Sequence, residues 1–287
     1  MIVAAQNNTE SKEALNETPW ALEDLPPFPS VATRLLHLLS SKDVQLAEVG
    51  RMVAAEPVFA TRVLQMANSP LFSLQGQVRT ISHAIILLGL DRVSAIAMTR
   101  ATADFVAPAL RIEALRRCWR NSLAGAIVAE KLARACRMDA DEAYLAGLLR
   151  DIGRLALLVK YPEPYANLLA VTQENVFDLL ATERDLFDID HCQAGAWLTR
   201  KMSFPDELCD VVAHHHEPPA GDAFRLASLI RVADRLADAV GFSAIMLPDA
   251  PNVEEVLNDL PAPAQSRISH DSEELRGEIA QRIEAWR

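Results

Sequence analysis

Apolar residues recur at three- and four-residue intervals along almost the whole chain, the period of helices that bury one face. Val31, Leu35, Leu38 and Leu39 fall on one face of a segment that Ser30 can cap and that runs to Leu39. After Asp43, a second capping residue, Leu46, Val49, Met52 and Val53 repeat in the same way. Glu56-Pro57 ends that segment and starts another over 58–67, which Asn68-Ser69-Pro70 closes. A short helix is expected over 82–88. Gly89 suits the left-handed residue after it, and Asp91 can cap the next helix. Upstream, Leu25-Pro26-Pro27-Phe28-Pro29 is a stiff extended lead-in, because each proline fixes its own φ and pushes its predecessor out of the helical region. Residues 1–21 are polar and unpatterned, a loose tail.

The interval Phe105-Val106-Ala107-Pro108-Ala109 is the expected boundary between two parts, since the periodic segments lengthen beyond it. They cover roughly 111–136, 139–161, 163–171, 176–186, 190–201, 205–216 and 224–241. Residues 246–269 hold four prolines and little periodicity, and read as a loop. The last segment, 272–287, carries Leu275, Ile279, Ile283 and Trp286 along one stripe. The expectation is an all-α chain. A bundle of short helices over 22–107 packs on a helical subdomain over 108–245, and 246–287 form a loop plus a C-terminal amphipathic helix.

Composition agrees with the pattern. Hydrophobic residues make up 50% and aromatics only 6%, so β-branched and aromatic runs that favour strands are scarce. The net charge of -11 disfavours a nucleic-acid partner, because a phosphate backbone is repelled unless a local basic patch exists. The densest cluster, Arg111, Arg116, Arg117 and Arg120, has helical spacing and reads as a solvated face. Four scattered cysteines without a CxxC pair are expected to be buried reduced thiols. No run of about 18 apolar residues predicts a membrane span, and Met1-Ile-Val-Ala-Ala-Gln turns polar too soon for a signal peptide. A cytoplasmic protein is expected.

The chemistry-bearing residues concentrate in the second half: Asp151, His191, the triplet His214-His215-His216, and Asp234. Carboxylates with imidazoles are a ligand set for Fe, Mn or Zn. Singly, Asp234 reads as a surface ion-pair partner and His191 as the first residue of a helix. Adjacent helical positions point in different directions, so at least one of the three histidines should face inward. No Ser lies in a GxSxG turn, no Gly-rich phosphate loop exists, and no Cys has a His in a recognisable nucleophile context.

The order of these segments resembles the HDOD family, the divergent output-domain branch of the HD phosphohydrolase superfamily, over about residues 22–245. The resemblance rests on Leu25-Pro26-Pro27-Phe28-Pro29, Val63 through Ser69, Ile81 through Gly89, Trp119-Arg120-Asn121-Ser122, Ala146 through Gly153, Glu183 through His191, and His215-His216-Glu217-Pro218. It implies that the superfamily's first metal-ligand His falls at Asn121, and its paired His and Asp at Arg150 and Asp151. The later positions match His191, His215, His216 and Asp234. Two nitrogen ligands are thus replaced. A guanidinium stays protonated and has no lone pair to give, and a cation about 4 Å from it would be opposed by about 4 kcal/mol at a surface-like dielectric. Arg150 either turns inward and pairs with Asp151 or Asp234 in place of a metal, or points to solvent while Asp151 caps a turn.

Two functions follow. The resemblance implies a non-catalytic bacterial signal-transduction module that binds other signalling proteins and carries no cofactor and no metal, with homo-oligomerisation left open. The partner surface is then the groove between the two helical parts or the C-terminal helix. The alternative is a metal-dependent phosphohydrolase acting on a nucleotide or phosphodiester, with Asp151, His191, His215, His216 and Asp234 as remaining ligands.

Overall fold

The structure is a computed structural model that describes residues 18–30, 33–35, 45–68, 77–174, 178–218, 223–245 and 251–286. Among them there is no strand, and the chain is all-α, as its 3.6-residue periodicity requires. The first part includes, among the described residues, α1 (Leu46–Ala54), α2 (Pro57–Ala67), α3 (Ile81–Leu88) and α4 (Leu90–Val106). The long α5 (Glu113–Cys136) is followed by α6 (Ala140–Leu149), α7 (Ile152–Lys160) and α8 (Pro162–Glu174). Next come α9 (Leu179–Phe187), α10 (His191–Lys201), α11 (Asp206–His214) and α12 (Leu226–Ala239). Two short helices, α13 (Val253–Leu257) and α14 (Ala262–Gln265), precede α15 (Ser272–Glu284).

Most boundaries follow local chemistry. Pro57 occupies the first turn of α2, where its missing N–H is not needed. Thr80 caps α3 through the His83 amide, and Gly89 after it sits at φ 83. Gly89 itself is also the residue before α4, so Asp91 lies in the first turn of that helix rather than capping it. Asn68 does tie down a helix end: its amide donates to the Leu64 and Val78 carbonyls and its oxygen accepts from the Val78 amide, each at 2.8 Å. Ser69 and Pro70 lie outside the described residues, as do residues 1–17, Asp43 and most of the helix expected over 30–39, of which Ser30 and residues 33–35 are helical.

Three expectations are corrected. The segment 139–161 is two helices, broken at Arg150 and Asp151. The segment 205–216 ends as a helix at His214. The stretch expected as a loop over 246–269 contains α13, capped by Asn252 through the Glu254 amide, and α14, which begins after Pro261. Pro263 lies in the first turn of α14, where its missing N–H is not needed, so a proline here accompanies a helix start rather than a loop.

α5 is the spine, packed against α6, α12 and α15. The buried apolar side chains form two clusters. One gathers Val49, Val53, Phe59, Val63 and Ile85 with Ile96; the other spans α5 to α15. α4 serves both, giving Val93 and Ile96 to the first and Met98 and Phe105 to the second. α15 docks inside the molecule, burying Leu275, Ile279 and Ile283, and Trp286 packs against both clusters. Among the described residues no single helix is long and apolar enough to cross a membrane; α3 and the following segment to Ala109 reach that length only together, bent by 109°.

Candidate functional site

The break between α6 and α7 builds the site. Arg150 ends α6 and Asp151, at φ -100 and ψ 21, opens α7 without capping it. Both side chains are buried, Arg150 to 0% exposure. Around the Arg150 guanidinium stand four partners. It donates to the Asp234 carboxylate (2.9 and 2.7 Å), to Asn121 Oδ1 (2.6 Å) and to the Gly147 carbonyl (2.7 Å), and lies 3.3 Å from Asp151. Asn121 is itself fixed, since its amide donates to the Phe242 carbonyl at 2.9 Å. Gly125, one turn along α5, leaves the room: a Cβ there would lie 2.1 Å from an Arg150 nitrogen. The inward placement of Arg150 is therefore the one observed, with both carboxylates on it.

A second buried guanidinium stands beside the first. Arg154 lies 3.3 Å from Asp151 and 3.2 Å from His191 Nε2. His191 opens α10, where the Asp190 side chain and Gln193 form a capping box. Glu183 receives both the backbone N–H of His191 (2.8 Å) and its Nδ1 (2.6 Å), and accepts from the Tyr165 hydroxyl. Beyond α11 His215 is buried, with its Nε2 3.5 Å from Asp151, while His216 is an exposed residue whose Nε2 still lies 2.9 Å from His191 Nε2. His214 is exposed as well and contacts the Asp210 carbonyl. The structure thus brings together all seven residues singled out: Asn121, Arg150, Asp151, His191, His215, His216 and Asp234. Five of them, Asn121, His191, His215, His216 and Asp234, border a cleft of about 420 Å³, which Arg150 and Asp151 do not line.

Arg154, Glu183 and Gly125 were not picked out as site residues. The spacing of Asp151 and Arg154, three residues apart on a helix, was the available signal for the first. Glu183 stood in a family segment without an assigned role.

The electrostatics are those of a compensated ionic core. Burial alone would raise the Asp151 carboxyl, but Arg154 and Arg150 beside it hold it well below the usual carboxylate range. Against the same burial, Arg150 holds Asp234 low. The two carboxylates in turn keep Arg150 firmly charged, and Asp151 does so for Arg154. Burial and the neighbouring Arg154 lower His191, which stays neutral; burial and the other two imidazoles push His216 down to about 3. Asp238, one turn beyond Asp234 on α12, is pushed up to about 7 by burial and by the Asp234 charge.

Two groups of donors could in principle hold a cation. Asn121, Asp151 and Asp234 converge on one point, and the Arg150 guanidinium is at that point. The nitrogens of His191, His215 and His216 and the thiol of Cys192 lie within 4.8 Å of one another. Burial, with the Asp190 charge, keeps that thiol protonated, and Arg154 stands at hydrogen-bond distance from His191.

The HDOD domain model matches residues 25–218. The chain belongs to the HDOD family. A protein of Treponema pallidum (strain Nichols) without an assigned function is 23% identical over 200 residues, 69% of this chain, which spans 39% of that relative's length. Among solved structures, an HDOD domain protein of unknown function from Geobacter sulfurreducens superposes with a TM-score of 0.69 at 23% identity, covering 92% of this chain and 91% of its own. A Shewanella amazonensis SB2B protein named provisionally as a phosphohydrolase gives 0.66 at 23% identity, covering 91% of each chain. At 23% identity these likenesses show a shared fold.

Proposed function

We propose that this HDOD protein is a non-catalytic regulatory module of bacterial signal transduction, which acts through contacts with other proteins and keeps its HD site as structure. The observation that carries the reading is the position of Arg150. Its guanidinium occupies the meeting point of Asn121, Asp151 and Asp234 and bonds to all three side chains, with 0% exposure. A divalent cation there would have to displace a buried, fully charged group that these acids stabilise. The residues do not fit a metal at this point. The imidazole group fits one poorly as well, because the charged Arg154 already stands 3.2 Å from His191 Nε2.

The phosphohydrolase alternative needs a metal-bound water aimed at a phosphorus atom. The solved Shewanella amazonensis relative, provisionally named for that activity, shares the fold at 23% identity, which leaves the chemistry of this chain to its own residues. The test is hydrolysis of bis(p-nitrophenyl) phosphate and of nucleotides by purified protein supplied in turn with Mn²⁺, Fe²⁺ and Zn²⁺. No turnover above a protein-free blank is expected. Turnover that an Asp151→Asn substitution abolishes would overturn the proposal.

A further inference from the structure

A second cleft, of about 530 Å³, opens on the side of α5 between α2, α4 and α15. Five cationic side chains border it: Arg62, Arg92, Lys131, Arg134 and Arg282. Only two carboxylates, Glu130 and Glu278, share that wall, and Asp141 stands behind Arg92 at 2.9 Å. The wall is net positive in a chain with 39 acidic and 28 basic residues. At its centre the buried Glu130 gathers three guanidinium groups. Arg92 reaches it at 2.5 Å, Arg134 at 2.7 Å, and Arg282 closes from α15. Glu130 and Asp141 together leave one of these three cations uncompensated, and with Lys131 paired to Glu278, Arg62 adds a second. Burial would lift the Glu130 carboxyl, but Arg282 and Arg92 hold it below its ordinary range, so the cluster stays ionised.

Apart from Gln65, the rest of the wall is mainly apolar and aromatic. Met66 and Ile96 face the cleft from α2 and α4, and Trp286 stands at its mouth with the Arg62 guanidinium 5.6 Å from its ring centre. Arranged guanidiniums beside an aromatic wall match an oxyanion attached to a planar ring. A phosphomonoester, with about -1.5 to -2 charges near neutral pH, fits the excess better than a single carboxylate does. The volume lies within the range of small-molecule sites, about 300 to 1,000 Å³.

We propose that this cleft binds a small organic phosphate with a flat ring, a nucleoside monophosphate by class. The phosphate lies on Arg134 and Arg92 and the ring lies against Trp286. Since Trp286 packs on both apolar clusters, the ligand is held where the two helical parts meet, away from Arg150 and its carboxylates.

Titration calorimetry with GMP, guanosine and inorganic phosphate tests this on the full chain. GMP is expected to bind with guanosine and phosphate at least tenfold weaker, and added KCl to weaken it. Arg134→Gln and Trp286→Ala should each lower GMP affinity at least tenfold. The Arg134 side chain is 53% exposed, so its loss leaves the fold intact if Trp286→Ala does not. Lys201→Ala, in a separate cleft beside Trp197, should change nothing. The proposal is overturned if neither GMP nor AMP binds at about 1 mM, if both cleft variants bind GMP as the unmodified chain does, or if an oligoglutamate peptide binds as tightly as GMP.

Discussion

Arg150 holds the site together at the scale of single residues, and its removal is predicted to cost stability rather than activity. Arg150→Met keeps the volume but leaves Asp234 without its cation and Asp151 with Arg154 alone, and should destabilise the protein by about 3–5 kcal/mol near pH 7 in urea unfolding. A loss below about 1 kcal/mol would show that solvent, not the guanidinium, compensates the acids. Acid titration supplies a second prediction. The lowered His216 binds a proton more readily unfolded than folded, so its contribution falls as pH drops from about 6.5 towards 3. The raised Asp238 works in the opposite sense, since the folded state takes up a proton near pH 7 that the unfolded chain takes up only near 4. Asp238→Asn should therefore steepen the acid loss between pH 7 and 4, by up to about 1.4 kcal/mol per pH unit less solvent screening, and His216→Gln should flatten it. An unchanged slope in both variants would contradict the assignment. Asn121 and Arg150 were legible from the sequence because each stands in a family segment, and Asp234 because the resemblance places the family's final Asp there. Arg154 was not: Ile152, Gly153, Arg154, Leu155, Ala156, Leu157 and Leu158 are all buried, so α7 lacks the polar face on which its charge would have been placed.

Helices pack here at two unusually close crossings, and each sets a site residue. α5 approaches Arg150 through Gly125, and α7 approaches α10 through Gly153, where an added Cβ would lie 2.0 Å from the His191 carbonyl and 2.4 Å from the Gly195 amide. Gly153→Ala must push α10 away and carry His191 off Glu183. A destabilisation of about 1–3 kcal/mol or more is expected from overpacking of this kind, and the His191 ring resonances should shift in NMR spectra. An unperturbed spectrum would mean that the crossing is looser than the structure shows. Helix positions were readable because apolar spacing acts locally, while the caps Asp139, Asp178 and Asp190 are seen only in the structure. The break at Arg150 and Asp151 was not readable. Leu148, Leu149, Ile152 and Leu155 continue the apolar period across it, and the turn is stabilised instead by the Arg150–Asp234 ion pair to α12 and the Asp151–His191 contact to α10, both distant in sequence.

For the whole molecule, the chain keeps the helical architecture of the HDOD family, and on the proposed reading a buried ionic core takes the place of a metal centre at its middle. The two apolar clusters meet along α4 and at Trp286, so the ionic core around Arg150 lies within the larger cluster and the proposed phosphate cleft lies at the junction. The central claim is that a guanidinium stands where a divalent cation would have to stand. Elemental analysis of protein purified without chelator tests it most directly, alongside an Asn121→His, Arg150→His double variant that restores the two nitrogen donors. The account predicts far less than one Fe, Mn or Zn per unmodified chain, and a marked gain in the double variant. Stoichiometric metal in the unmodified protein would contradict it.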